Sequence, residues 1–190
     1  MAQKLQVIIG STRPGRIGPS VAKWFHEAAK AHGAFDVELV DLADFKLPVY
    51  DEPEHPMKKA YTKDHTKAWS AKIDQADAYV FVHPEYNYFA PPALVNAVNF
   101  LWNEWKYKPV GLVSYGGVSA GLRAAQSLKG LVTTLRMMPI PEGVAIPNFG
   151  QHIDKASGTF KSNELMDASV KSMLDELAKW SGALKPLRGA

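Results

Sequence analysis

The sequence contains no cysteine. That excludes disulfide bridges, thiolate metal sites and a cysteine nucleophile, and it agrees with a reducing compartment. No apolar run approaches the ~20 residues of a membrane span. The short N-terminal apolar run is interrupted by Gln6, so it is not expected to act as a signal peptide, and the expected location is the cytoplasm. Surplus charge is also missing, since 22 Lys and Arg against 19 Asp and Glu leave a net charge of +3. The basic residues are spread along the chain rather than blocked, so no nucleic-acid footprint is visible. The six histidines show no H-x-x-H or H-E-x-x-H spacing, and no metal site is expected. Neither an internal repeat nor a linker breaks the chain. Its 190 residues, 46% of them apolar, are read as one domain, residues 1–190, with a sizeable core.

The most informative stretch present is Gly10-Ser-Thr-Arg-Pro-Gly-Arg-Ile-Gly-Pro-Ser20. It follows the apolar run Leu5–Ile9, a first strand. It precedes Val21, Trp24, Phe25 and Ala28, which have the spacing of a helix face. A strand-to-helix turn rich in glycine, hydroxyls and arginine suits an anion. Glycines let successive backbone N–H groups converge, and the helix start adds its own free N–H groups and positive dipole end. A Walker A loop is excluded, because Arg16 and Ile17 stand where Lys and Ser/Thr are needed. A G-x-G-x-x-G fingerprint is excluded by Thr12 at its second glycine. A plain loop with a helix cap is the structural alternative.

The rest of the chain alternates strand and helix. Strands are expected over Phe35–Leu42, Ala78–His83, Pro109–Tyr115 and Met138–Ile146. Helices are expected over His65–Ala76, from Pro91-Pro92 through Trp102, over Val118–Arg136 and over Asn163–Trp180. Ala43–Asp64, with its three prolines, is a long loop. Strict alternation predicts an α/β fold: a flavodoxin-like three-layer sandwich with a five-stranded parallel sheet in order 2-1-3-4-5 and helices on both faces. A ligand then lies beyond the strand C-termini, at the switch point between strands 1 and 3. The loops brought there are Gly10–Ser20, Pro84–Ala90 and Ser114–Gly117.

Gly-Ser-Thr-Arg after strand 1, Pro-Glu-Tyr-Asn-Tyr after strand 3 and Ser-Tyr-Gly-Gly after strand 4 together resemble the NADPH-dependent FMN reductase family. The resemblance runs from Leu5 to about Leu177. It implies an FMN-dependent oxidoreductase that takes hydride from NADPH or NADH and passes it by a ping-pong mechanism to quinones or similar small electron acceptors. It also implies a homodimer or homotetramer. By the resemblance, Ser11, Thr12, Arg13, Arg16, Ile17, Gly18 and Ser20 hold the FMN phosphate. Pro84, Glu85, Tyr86 and Asn87 line the flavin ring, and Ser114, Tyr115, Gly116 and Gly117 close its other edge. The Pro14–Pro19 span is longer than in many members, which leaves the roles of Arg16 and Ser20 open. No catalytic acid or base is demanded, because the cofactor carries the reaction.

Two other readings stand beside it. Gly117-Val-Ser-Ala-Gly121 matches the G-x-S-x-G nucleophile elbow, with Glu142 and His152 following in the chain order of a triad. Strand 4 already ends near Tyr115, however, so Ser119 falls past the sharp turn, and no HGGG-type loop is present. A non-enzymatic electron carrier or flavin-binding module is the second, although the chain shows no large acidic docking field. His83 reads as a core histidine. Trp102, Trp105 and Tyr107, with Tyr86, Tyr88 and Phe89, are either core or a subunit contact.

Overall fold

The computed structural model describes residues 2–189. Five strands, β1 (Gln3–Ile9), β2 (Phe35–Asp41), β3 (Ala78–Pro84), β4 (Pro109–Tyr115) and β5 (Met138–Ile146), pair in parallel in the order β2-β1-β3-β4-β5. Between and after them run α1 (Gly18–His32), α2 (Asp64–Asp74), α3 (Pro92–Asn99), α4 (Leu122–Thr134) and α5 (Glu164–Leu184). No helix among the described residues is long and apolar enough to cross a membrane.

The central strands β3 and β4 are buried at every position, as their unbroken apolar sequences require. Alternation divides their side chains between two cores. Val80 and Val82 meet Val21 and Phe25 of α1 and Met173 and Leu177 of α5. Tyr79 and Phe81 meet Trp69 of α2, Leu94 of α3 and Leu128 of α4. Full burial of one such side chain contributes about 1.5–3 kcal/mol. The buried indoles also satisfy their N–H groups, Trp69 on Ala97 O at 2.9 Å and Trp105 on Val98 O at 3.1 Å.

Helix ends follow local chemistry. Gly33, at φ 79°, closes α1 in the left-handed conformation that glycine tolerates best. The Asn163 side chain accepts from Met166 N at 2.9 Å and starts α5. The fourth helix begins at Leu122, four residues later than the periodicity of its sequence predicts. Ala120 (φ 55°) and Gly121 (φ 78°) are both left-handed, and a right-handed helix cannot pass through them.

The long loop after β2 contains short 3-10 turns at Leu42–Phe45 and Pro56–Lys58. It is pinned by Glu52, whose buried carboxylate accepts from Thr62 N (2.9 Å), Thr62 Oγ1 (2.8 Å) and Lys63 N (2.9 Å). Burial alone would raise its pKa, but these donors and Thr66 outweigh it and hold the carboxyl at about 2, below its ordinary 4.5. A folded pKa below the unfolded one stabilises the protein above pH 4.5, and that contribution is lost as pH falls toward 2. We predict that Glu52→Gln loses about 1.5–3 kcal/mol at neutral pH. In urea titrations the gap to the wild type should close as the pH is lowered through that window. A gap that stays constant with pH would show that Glu52 does not carry this charge-assisted cap.

Candidate functional site

The site lies where the C-terminal ends of β1, β3 and β4 meet. Gly10 leaves β1 with its N–H on Val82 O at 2.9 Å. It lies so close to α3 that a Cβ on it would stand 2.8 Å from the Leu94 side chain. Ser11 is fully buried, its Oγ 3.4 Å from the Tyr115 hydroxyl. The chain then turns tightly, Arg16 N donating to Arg13 O at 3.1 Å with Gly15 at φ 70°. Helix α1 starts with Pro19 in its first turn, no side-chain cap and no acidic residue there. Among the described residues, the backbone N–H groups of Ser11, Thr12, Arg13, Ile17 and Gly18 have no partner. A Cβ on Gly18 would collide with Ser11 Oγ and lie 3.0 Å from the Tyr115 hydroxyl. The loop therefore holds a set of unpartnered donors at a helix start, an arrangement suited to phosphate.

The arginines of this loop divide. Arg16 donates to Ser11 O (2.5 Å) and, through both terminal nitrogens, to the two oxygens of Asp41 (2.6 Å each) at the end of β2. Its guanidinium is thus spent inside the protein and shapes the cradle from behind. Arg13 is exposed and makes no ion pair or side-chain hydrogen bond among the described residues. Ser20 also turns away, its Oγ donating to Gly158 O at 2.8 Å. Ile17 packs against the core beneath α1.

The second loop is a tight turn. Tyr86 and Phe89 exchange backbone hydrogen bonds at 3.0 and 2.9 Å, with Asn87 (φ 50°) and Tyr88 (φ 68°) left-handed between them. Glu85 N donates to Tyr115 O at 3.2 Å, which joins this loop to the third. In the third loop Gly116 and Gly121 face each other, and a Cβ on Gly116 would sit 2.9 Å from Gly121 N. Gly116 is therefore demanded by the turn itself, whereas Gly117 has open space beside it. The segment after β5 lies over this turn, with Asn148 N on Gly117 O (2.9 Å) and Phe149 N on Gly116 O (3.1 Å). Burial pushes the Tyr115 hydroxyl up to about 12 and the His83 imidazole down to about 4, so both are neutral at physiological pH. His83 is a core residue, its Nδ1 3.1 Å from Pro84 O. Ser114 is buried beside it in register on β4.

The Glu85 carboxylate does not face the slot between these loops. It accepts from Ser119 Oγ (3.0 Å), Arg123 Nη1 (3.1 Å), Arg123 N (3.0 Å) and Ala124 N (3.4 Å). The sequence carries no signal for this contact except an acid in the loop after β3 and an arginine in the first turn of α4. Ser119, Glu142 and His152 share no hydrogen bond. Ser119 donates to Glu85, and His152 Nδ1 faces Lys161 O at 3.2 Å.

Beside the Tyr86–Phe89 turn opens an apolar groove of about 1250 Å³, lined by Tyr50, Phe89, Val95, Leu101, Trp102 and Leu131 among others. The aromatic cluster read from the sequence separates here. Trp105 is core, Trp102 lines the groove, and Tyr107 accepts from Arg136 Nη1 at 3.1 Å.

The doubly wound sheet with its cradle at the switch point defines a flavodoxin-like protein. A model of the family described as NADPH-dependent FMN reductase matches residues 3–151, and the chain belongs to that family of oxidoreductases. An NAD(P)H-dependent FMN reductase of Schizosaccharomyces pombe is 45% identical over 140 residues, 73% of this chain and 70% of that one. A quinone reductase of Pseudomonas putida is 27% identical over 184 residues, 92% of each chain. Among solved structures, the flavoenzyme NAD(P)H:(acceptor) oxidoreductase FerB of Paracoccus denitrificans superposes with a TM-score of 0.72 at 20% identity, covering 95% of this chain and 98% of its own.

The geometry around Ser119 yields a direct test of the hydrolase alternative. We predict that an activated ester gives no stoichiometric acyl-enzyme burst with the wild type. Ser119→Ala should cost about 1.5–3 kcal/mol in denaturant unfolding, the worth of one hydrogen bond to a charged group. A burst that disappears in Ser119→Ala would overturn the assignment of this serine to Glu85.

Proposed function

We propose that the protein is an FMN-dependent NAD(P)H oxidoreductase that reduces quinones or similar small acceptors. The observation that carries the reading is the set of unpartnered N–H groups at Ser11–Arg13 and Ile17–Gly18, with Gly18 packed so closely on Ser11 and Tyr115 that no side chain fits there. A single phosphate fits such a cradle, and the site resembles no second nucleotide fingerprint. FMN bound there supplies two-electron storage between the nicotinamide donor and the acceptor.

The chain's own part is binding, orientation and electrostatics. Ser11, Thr12, Arg13, Ile17 and Gly18 hold the phosphate through backbone donors and the Arg13 guanidinium. Arg16 fixes the loop through Asp41, and Ser20 fastens the start of α1 to the Gly158 carbonyl. Pro84, Tyr86 and Asn87 line one side of the ring slot, with Glu85 contributing backbone there. Ser114, Tyr115, Gly116 and Gly117 close the other side. Donor and acceptor are read as visiting one face of the bound flavin in turn. The apolar groove beside Phe89 supports assembly into a homodimer or homotetramer, since aromatic and aliphatic surface of this kind is what subunit contacts bury. We place the reaction in the cytoplasm, where NADPH and NADH are supplied.

Heat release and weighing of the cofactor tests the reading, with FMN expected. FAD, or no flavin after reconstitution, overturns it. Initial-rate lines at several quinone concentrations should be parallel, and intersecting lines would overturn the ping-pong order. A protein that is not reduced by NADPH without a partner reductase would be a carrier instead.

Arg13 gives a sharper test. A guanidinium on phosphate contributes about 1.5–3 kcal/mol, so Arg13→Ala should weaken FMN by roughly ten- to a hundredfold. Riboflavin lacks the phosphate, and its affinity should hardly change. Arg13→Lys should recover part of the loss. Fluorescence titration of both flavins into apoprotein reads the contrast. Equal weakening of the two, or of neither, removes Arg13 from the phosphate site.

A further inference from the structure

Two helix N-termini open on the same rim of the sheet, and their free N–H groups meet different fates. At the start of α1, Ile17 N and Gly18 N are unpartnered among the described residues, Pro19 carries no N–H, and Ser20 N donates to Ile17 O at 3.0 Å. Those at the start of α4 are all accounted for. Leu122 N donates to Ser119 O at 2.9 Å and Ala125 N to Gly121 O at 3.1 Å. The two between them, Arg123 N and Ala124 N, both donate to Glu85 Oε2. The acid comes from another loop, 38 residues away from Arg123 in sequence, and its side chain is only 8% exposed. Its other oxygen takes Ser119 and the Arg123 guanidinium. Arg123 in turn lies over the Tyr88 ring, 4.1 Å from its centroid.

This enclosed acid sits between Pro84 and Tyr86, beside the loops of the site, where its charge is within reach of a bound ligand. Without its charge, the dipole end of α4 and the Arg123 cation would both stand unscreened beside the slot. The charge is kept at working pH, because the four donors outweigh the burial that would otherwise raise the Glu85 pKa and hold it below its ordinary value. Two-electron-reduced FMN carries more negative charge than the oxidised form, so any net positive field favours it.

We propose that the Glu85 carboxylate screens the slot from the positive end of α4 and from Arg123, and thereby sets the reduction potential of FMN bound there. The inference rests on the reading of the site given above. It assigns Glu85 a role through charge rather than through contact with the ring.

The test is the reduction potential of the purified holoprotein, read by equilibration with a redox dye, together with the dissociation constant of oxidised FMN. Glu85→Gln keeps the size of the side chain and removes its charge. It should favour the reduced cofactor over the oxidised one by on the order of tenfold, a rise of about 30 mV for a two-electron couple. Arg123→Met should move the ratio the other way, and by less, since its guanidinium is half exposed. The double variant Glu85→Gln/Arg123→Met restores the net charge while leaving the contact broken, and its shift should keep the direction of Glu85→Gln but be smaller, since the α4 dipole alone is then left unscreened. A potential unmoved in Glu85→Gln overturns the inference, as does one that falls. A shift that persists undiminished in the double variant overturns it too, because the cause is then a displaced loop. Should Glu85→Gln fail to fold, Arg123→Met decides alone by the sign of its shift. A wild type that binds no FMN overturns the reading of the site and this inference with it, whereas normal binding with an unmoved potential overturns the inference alone.

Discussion

One guanidinium decides the shape of the β1–α1 loop. Arg16 grips the Ser11 carbonyl and both oxygens of Asp41, and Asp41 also accepts from Ala43 N at 3.0 Å. A loop that contains Pro14, Gly15 and Pro19 has few hydrogen bonds of its own to hold it. Tied to the end of the neighbouring strand, it keeps the N–H groups of Ser11, Thr12 and Arg13 off acceptors within the protein. Unpaired N–H groups are costly when buried; Thr12 and Arg13 are exposed, whereas Ser11 and Gly18 are buried and their N–H groups await a partner. The value of the Arg16–Asp41 pair therefore lies in preorganisation more than in its own strength, since ordering the donors beforehand lowers the entropic cost of binding.

The same economy of backbone groups explains why the two helix starts differ. Helix α1 carries no acid in its first turn, and the neighbouring acid, Asp41, is neutralised by Arg16. Helix α4 receives a carboxylate from across the slot. One N-terminus thus keeps free N–H groups at Ile17 and Gly18, and the other is closed by an internal ion cluster. The difference rests on which loop happens to carry an acid within reach.

Much of the fold was legible in the sequence. Strands β3 and β4 are nearly continuous apolar runs, and both match their expected limits to within one residue. Sheet order followed from strict alternation and chain length, and with it the three loops of the site. The start of α4 was not legible, because Val118 to Leu122 keep a helical composition while Ala120 and Gly121 adopt a left-handed backbone. The side-chain roles of Arg16 and Glu85 were hidden for another reason. A charged residue in a loop can point at a ligand or at the protein, and the choice depends on partners, Asp41 and Arg123, that only the folded chain brings near. Residue type located the cradle, but tertiary pairing determined which of its charges remain free.

The two outer strands of the sheet bear on what this protein can become in a crowded solution. Strand β5 carries Pro139 and Pro141 among its nine residues and slips register against β4 between Val110 and Leu112. Those two positions can never donate a hydrogen bond to an incoming strand. At the opposite border, Glu38 of β2 is surrounded by Lys4 and Lys72, and an added strand would have to strip water from that cluster. The sheet is closed to extension at both borders. Fibrous growth by strand addition is thereby discouraged, which leaves the helical faces as the surfaces a second copy would have to use.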